Sequence, residues 1–511
     1  MTFYSKVGNF NTSSGAATNT ITGLGFTPVA LIMWVGSQSA TGWTKGDGMF
    51  SIGFAANNNG TMQYGSISDG HEDYAAGNTT MVASGAYALY ARNWVPTTEL
   101  LASGVTFSSG QFVVSWTTHA AAFTVYYLAL GGSDITGAGV AAWTCPTAVA
   151  PATKSVTGLG FQPTCVMHIG AGSGGQSTSN GHWLGAMDAN GNQWAKGEVD
   201  IGNNPDFVKR VQITDHCLVG QSTTASTINK SATYTSMDSG GFTVSFDVQT
   251  DTTAYPMYSL CLACSAKVGH WSKTGQTAAV TDTISGLGFT PSAVLTVNDS
   301  YAASSAVQAG WRCNVGASDG TNFGTVSLTD KDASYPTIVY NYNDSTNTIV
   351  VNDSDSGTSN VVAPVKNFSS GQFQAVWGTD SATTATQICY IALGAASAAP
   401  ASWTETSASN VAAATIAPTL ATSSTITLPS PQNVAAAIVA ISTALGVTQP
   451  TPPNVAAATI TPTIETSETI TLSTPPNVAA ATVAITKDLA VTQSTPSNVA
   501  AATVAITKDL S

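Results

Sequence analysis

Residues able to do chemistry are few in this chain, and their spacing is informative. The six histidines, His71, His119, His168, His182, His216 and His270, form no pair at metal-ligand spacing, and neither a His-Glu-X-X-His pattern nor a phosphate loop occurs. One Gly-X-Ser-X-Gly sequence, Gly316-Ala-Ser318-Asp-Gly320, has the form of a nucleophile elbow. Such an elbow requires a strand-to-helix turn, and no helical periodicity follows it, so it reads as a surface turn. Cys261-X-X-Cys264 has zinc spacing, but on a strand residues three apart face opposite sides, and both read as small buried hydrophobes. Asp69-Gly-His-Glu-Asp73, Asp330-Lys-Asp332 and Asn352-Asp-Ser-Asp355 bring oxygen ligands close enough for Ca²⁺. They lack the full loop pattern and read as solvated turns. Trp43, Trp94, Trp183, Trp194, Trp271 and Trp311 lie in Gly/Asn/Ser-rich surroundings. There they either stack on sugar rings from exposed positions or plug the ends of a β-sandwich.

The elements that must position these residues come from repetition. Gly23-Leu-Gly-Phe26 recurs as Gly158-Leu-Gly-Phe161 and Gly286-Leu-Gly-Phe289, each followed by X-Pro and an apolar run. Ser109-Gly-Gln-Phe112, Ser239-Gly-Gly-Phe242 and Ser370-Gly-Gln-Phe373 form a second marker. Tyr127-Leu-Ala-Leu130, Ser259-Leu-Cys-Leu262 and Tyr390-Ile-Ala-Leu393 form a third. Three markers in one order, three times, define three copies of a module. Phe112, Val114 and Trp116 alternate with Val113 and Ser115, the period-two pattern of a half-buried strand. The glycines of Gly-Leu-Gly-Phe predict a turn with positive φ. The expected architecture is all-β, with three tandem antiparallel, jelly-roll-like β-sandwich modules at 1–135, 136–266 and 267–398.

From 399 to 511 the composition changes. Asn-Val-Ala-Ala-Ala begins at Asn410, Asn433, Asn454, Asn477 and Asn498, at alternating spacings of 23 and 21 residues, and no Phe, Tyr or Trp follows Trp403. A unit this small cannot bury its own apolar face, so the pattern predicts a repetitive β stalk, stacked within the chain or with neighbouring chains. The alternative is an unstructured Thr/Ala/Pro linker.

Charge limits the partners. Charged residues make up 8% of the 511 residues, and 15 Lys+Arg against 28 Asp+Glu give a net charge of −13. No basic stripe is available for nucleic acid. The most lipid-like stretch, Val434 to Val447, is too short to span a bilayer, and no signal peptide opens the sequence. Seven cysteines at positions that do not recur between modules form no shared disulfide framework, which suits assembly in a reducing cytoplasm.

The markers Gly-Leu-Gly-Phe-X-Pro, Ser-Gly-X-Phe and Tyr-Leu-Ala-Leu-Gly-Gly resemble a repeat module of tailed-bacteriophage virion proteins of the minor-tail and tail-fibre type, over about residues 7 to 396. The Pro-Asn-Val-Ala-Ala-Ala-Thr tail is similar to the Ala/Thr/Val/Pro repeats of phage tail proteins. The second module departs from the pattern, with Ser259-Leu-Cys-Leu-Ala-Cys264 in place of the Tyr and both glycines. The resemblance implies a non-enzymatic virion structural protein without cofactors, assembled in the host cytoplasm. It would be a tail fibre or appendage contacting the host surface through carbohydrate, self-associating as a trimer and bound to other virion proteins. A capsid decoration or head-fibre protein is the alternative, and a polysaccharide depolymerase would need a carboxylate pair across a groove. The motifs assign no catalytic, metal or ligand-binding residue.

Overall fold

The computed structural model describes residues 2–395 apart from short segments at 13–16, 38–40, 74–78, 96, 120–122, 173–178, 202–207, 223–226, 274–279, 301–303, 332–337, 352–360 and 379–385. From residue 403 onward it describes the backbone of twelve short strands. Asp332 and Asn352–Asp355 lie outside the described residues. The regular elements are all strands, and among the described residues no helix is long and apolar enough to cross a membrane. The chain divides into two compact units, 1–396 and 397–511.

The first module shows the plan of the larger unit. Its strands are β1 (Tyr4–Asn11), β2 (Thr18–Ile21), β3 (Pro28–Gly36), β4 (Gly42–Lys45), β5 (Gly48–Asn58), β6 (Thr61–His71), β7 (Thr79–Ser84), β8 (Leu89–Arg92), β9 (Thr98–Ser108), β10 (Gln111–His119) and β11 (Thr124–Gly131). A six-stranded sheet, ordered β1-β11-β3-β5-β6-β7, faces a four-stranded sheet, β2-β10-β9-β8. Phe112, Val114 and Trp116 of β10 point into the space between them, as their alternation predicts, against Leu31, Met33 and Tyr127. The second and third modules repeat the arrangement around Phe242 and Phe373.

Two of the sequence markers hold each other. Both glycines of each Gly-Leu-Gly-Phe turn have positive φ, between 77° and 95°, a region that costs a side-chain-bearing residue energy. The turn presents its Leu N–H to the Ser-Gly turn, as Leu24 to Gly110 O, Leu159 to Gly240 O and Leu287 to Gly371 O, all at 3.0 Å.

The larger sheet of each module is buried on both faces, which is why β3 reads as a continuous apolar run rather than an alternation. Its outer face joins a core common to all three modules. Trp34, Phe50 and Ile52 meet Leu184, Trp194 and Leu260 there, together with Val297, Trp311 and Val315. The joint closes as a ring. Gln63 Oε1 of the first module accepts the Val140 N–H of the second at 2.8 Å. Asp188 Oδ2 of the second accepts the Val268 N–H of the third at 2.9 Å, and Asp319 Oδ2 of the third accepts the Val7 N–H of the first at 2.9 Å. Strands are exchanged as well: β4 leaves its own module to pair with Val339–Asp344 of the third, and Ser304–Ala309 of the third pairs with Val208–Ile213 of the second.

In the second unit the strands pair in parallel, each with a strand of the next repeat. Asn410 pairs with Asn433, and Ala437, Ala458, Ala481 and Ala502 pair in succession. The stacking therefore takes place within one chain, as in a solenoid.

Candidate functional site

The register of the strands defines which positions correspond. Trp34 pairs with Ile52 and Ile52 with Ile67; Ile169 pairs with Leu184 and Leu184 with Lys196; Val297 pairs with Val315 and Val315 with Val326. Moving outward along the same strands, Phe50, His182 and Cys313 occupy one equivalent position. Asp69, Glu198 and Leu328 occupy a second, and His71, Asp200 and Asp330 a third. Where the three modules meet, one structural position thus carries three different residues, and most are ionisable.

Their contacts are close. His71 Nδ1 lies 3.0 Å from Asp200 Oδ2 and 3.0 Å from Asp330 Oδ2, so each module contributes one side chain. In the adjoining layer His182 Nδ1 bonds to Asp69, and its Nε2 lies 2.9 Å from Glu198 Oε2. Lys196 Nζ pairs with Glu198 and donates to the Arg312 carbonyl at 2.7 Å, while the Arg312 N–H donates to Glu198 at 2.9 Å. The Trp311 ring stands edge-on to both imidazoles, with centroids 4.4 Å from His71 and 4.6 Å from His182.

All of these ionisable side chains are at most 4% exposed, so the charges interact through protein rather than water. Burial opposes the His71 imidazolium, but the hydrogen bonds and charges of Asp200 and Asp330 outweigh it and raise its pKa to about 10. Burial likewise opposes the His182 cation, and Asp69 and Glu198 raise its pKa well above the ordinary value. Glu198, which burial alone would push up, is held down at about 2 by Lys196 and His182. Asp330 is pushed up, by burial first and then by the Asp200 charge, against the pull of His71. A cluster sealed in this way can clamp the modules together or hold an ion.

These positions correct several sequence expectations. Asp69, His71 and Asp330 are buried rather than in solvated turns, because the strands bearing them end at the junction of the modules. Trp183 is in the core of the second module, and Trp194 and Trp311 are in the shared core. Trp43 lies in the seam made by β4, 5.0 Å from Tyr342. Trp94 donates to Asp47 at 2.6 Å, and Trp271 packs on Phe373. Cys261 and Cys264 do face opposite ways, one into the core of the second module and one into the shared core. All seven cysteines are buried and unpaired. Ser318 donates to the Val365 carbonyl at 2.5 Å and accepts the Gly320 N–H at 2.9 Å, the bonding of a strand-to-strand turn.

Sequence reasoning did not single out Lys196, Glu198 or Asp200. From the Phe of Gly-Leu-Gly-Phe the third equivalent position is 45 residues on in the first module, 39 in the second and 41 in the third. No fixed spacing marks it. Facing outward, a polar cleft of about 390 Å³ lies between the second and third modules, with Asn192, Gln193, Asp215, Lys267 and His270 in its wall.

No family model matches the sequence, and no curated protein matches it. Among solved structures, the LG1-3 region of the laminin α2 chain aligns with 77% of this chain and 97% of its own at 8% identity. Its TM-score of 0.08 is too low to carry an argument about fold or function.

Proposed function

We propose that the protein is a non-enzymatic structural component of a bacteriophage virion, an appendage that contacts carbohydrate on the host surface. The observation that carries this reading is the architecture of repetition. One chain closes three copies of a module into a ring and continues into a tail whose parallel strands stack repeat on repeat. Such a chain presents three related outward surfaces at fixed spacing, which converts weak contacts to a repetitive polymer into avidity. With charged residues at 8% of the sequence, that exterior relies on amides and hydroxyls, groups suited to a glycan. The polar cleft beside Lys267 and His270 is the first place to look for sugar contact.

The tail serves in this reading as a stalk, and self-association, a trimer first, belongs to the proposal. Light scattering of the full chain tests it by mass. The functional test is binding of the full chain to extracted bacterial surface polysaccharides and to whole cells, with reducing ends assayed in parallel. Binding without release of reducing ends is expected. Release of reducing ends would indicate a depolymerase, and binding to empty capsids but not to cells would indicate a decoration protein.

A further inference from the structure

We propose that His71, Asp200 and Asp330 form a binding site for one divalent first-row transition-metal ion, which joins the three modules at their meeting point. Two carboxylate oxygens converge on one imidazole nitrogen at 3.0 Å each. That nitrogen has one site, for a proton or for a lone pair, and so a single N–H must be shared between two full acceptors. An ion gives all three atoms one common partner. With bonds of about 2.1 Å, adjacent ligands of an octahedral ion stand about 3.0 Å apart, the separation of the imidazole nitrogen from each carboxylate oxygen here.

Two further observations point the same way. Asp330 Oδ1 is buried and has no hydrogen-bond partner, so the protein alone leaves this carboxylate incompletely satisfied. The charge also balances. Asp69, Glu198, Asp200 and Asp330 are four buried carboxylates, and Lys196 and His182 supply two positive charges beside them. With His71 as a neutral ligand, a divalent ion supplies the other two. One nitrogen and two carboxylate oxygens suit Mn²⁺, Fe²⁺, Co²⁺ or Zn²⁺ better than Ca²⁺, whose ligands are oxygen alone.

His182, Glu198 and Cys313 also approach one another closely enough to hold an ion. There His182 Nδ1 is bonded to Asp69, which leaves Nε2 to face Glu198 Oε2 at 2.9 Å, while Glu198 Oε1 is engaged by Lys196 and the Arg312 N–H. This neighbour is the competing location, and cobalt separates the two, because a thiolate ligand adds a strong near-ultraviolet charge-transfer band.

The experiment is to produce the full chain in cells supplied with Co²⁺, dialyse it against a chelator, and measure bound cobalt by elemental mass spectrometry and absorption. We expect about one cobalt per chain, a visible spectrum without the thiolate band, and retention in Cys313→Ser. Asp200→Asn and Asp330→Asn, which keep the side-chain volume, should hold at least tenfold less. If neither variant folds, the wild-type stoichiometry and spectrum together with Cys313→Ser decide. Folded wild-type protein with less than about a tenth of an equivalent would overturn the proposal. So would a thiolate band lost in Cys313→Ser, or full cobalt retained in folded Asp200→Asn.

Discussion

Each module has its own core between two sheets, and all three share another where their larger sheets meet. The two kinds of core differ in chemistry. Between the sheets the contacts are nearly all apolar, as with Phe112 against Tyr127 at 5.0 Å and Phe373 against Tyr390 at 5.2 Å. At the shared junction buried acids and bases meet in layers. The difference follows from covalent linkage. In a homotrimer one position supplies three identical side chains, and three aspartates or three histidines at one point would repel. Three copies in one chain can diverge, and here one position has become His71, Asp200 and Asp330.

Breaking the charged set should have the largest effect. Glu198→Leu installs the residue that stands at the equivalent third-module position, Leu328, so its shape is tolerated, but Lys196 loses its carboxylate and His182 one of its two. A loss of about 3–5 kcal/mol is expected in urea unfolding. Replacing the whole set (Asp69→Leu, His182→Cys, Lys196→Val, Glu198→Leu) should recover most of it, since no charge is then left unpaired. Failure of the combined variant to recover would mean that the junction is not governed by charge pairing.

The second module sharpens the comparison from the other side. A Cβ on Gly8 would meet the Tyr127 hydroxyl oxygen at 2.5 Å, and one on Gly269 that of Tyr390 at 2.6 Å. The second module has Ala141 and Ser259 at the paired position, so Gly with Tyr has been exchanged for Ala with Ser. Trp143 and His168 fill the space against Phe242 and both bond to Ser259 Oγ at 2.8 Å. Gly269→Ala should therefore cost about 1–3 kcal/mol in the native background and much less in Tyr390→Ser, a coupling that a double-mutant cycle measures.

His168 gives the next effect. The Trp143 indole donates to Ser259 Oγ, which also bonds His168 Nδ1 and, as a neutral partner, offers an imidazolium no charge. Burial lowers its pKa to about 3. The unfolded chain takes up this proton below pH ~6.5 and the native state refuses it, so stability should fall by about 1.4 kcal/mol per pH unit on acidification from 6.5 towards 3. Urea midpoints compared with His168→Met, which copies Met33 of the first module, should show that part of the slope removed. The smallest effect belongs to the surface. His216 bridges Asp215 and Asp247, both substantially exposed, and Asp247→Asn should change stability by no more than about 1 kcal/mol.

Much of each module was legible in the sequence. The alternation of Phe112, Val114 and Trp116 places β10, and the two marker turns that recur together prove to be bonded to each other. The junction was not legible, for a physical reason. His71, Asp200 and Asp330 differ in identity and in distance from the markers, and strand register, which depends on loop length, is what aligns them. For Trp194 and Trp311 the sequence left exposed stacking and plugging of a sandwich end both open, and strands packed on both faces bury them completely in the shared core. The tail repeats were visible as a period, and their parallel pairing within one chain emerged from the backbone.

The most direct measurement is scanning calorimetry of residues 1–396 beside the isolated first module, residues 1–135. If the three copies are one structure closed through a shared core, the longer fragment unfolds in a single transition with equal calorimetric and van't Hoff enthalpies. The single module, with Trp34, Phe50 and Ile52 uncovered, should not fold as a monomer. Separate transitions in the longer fragment, or a cooperatively folding monomeric first module, would contradict it.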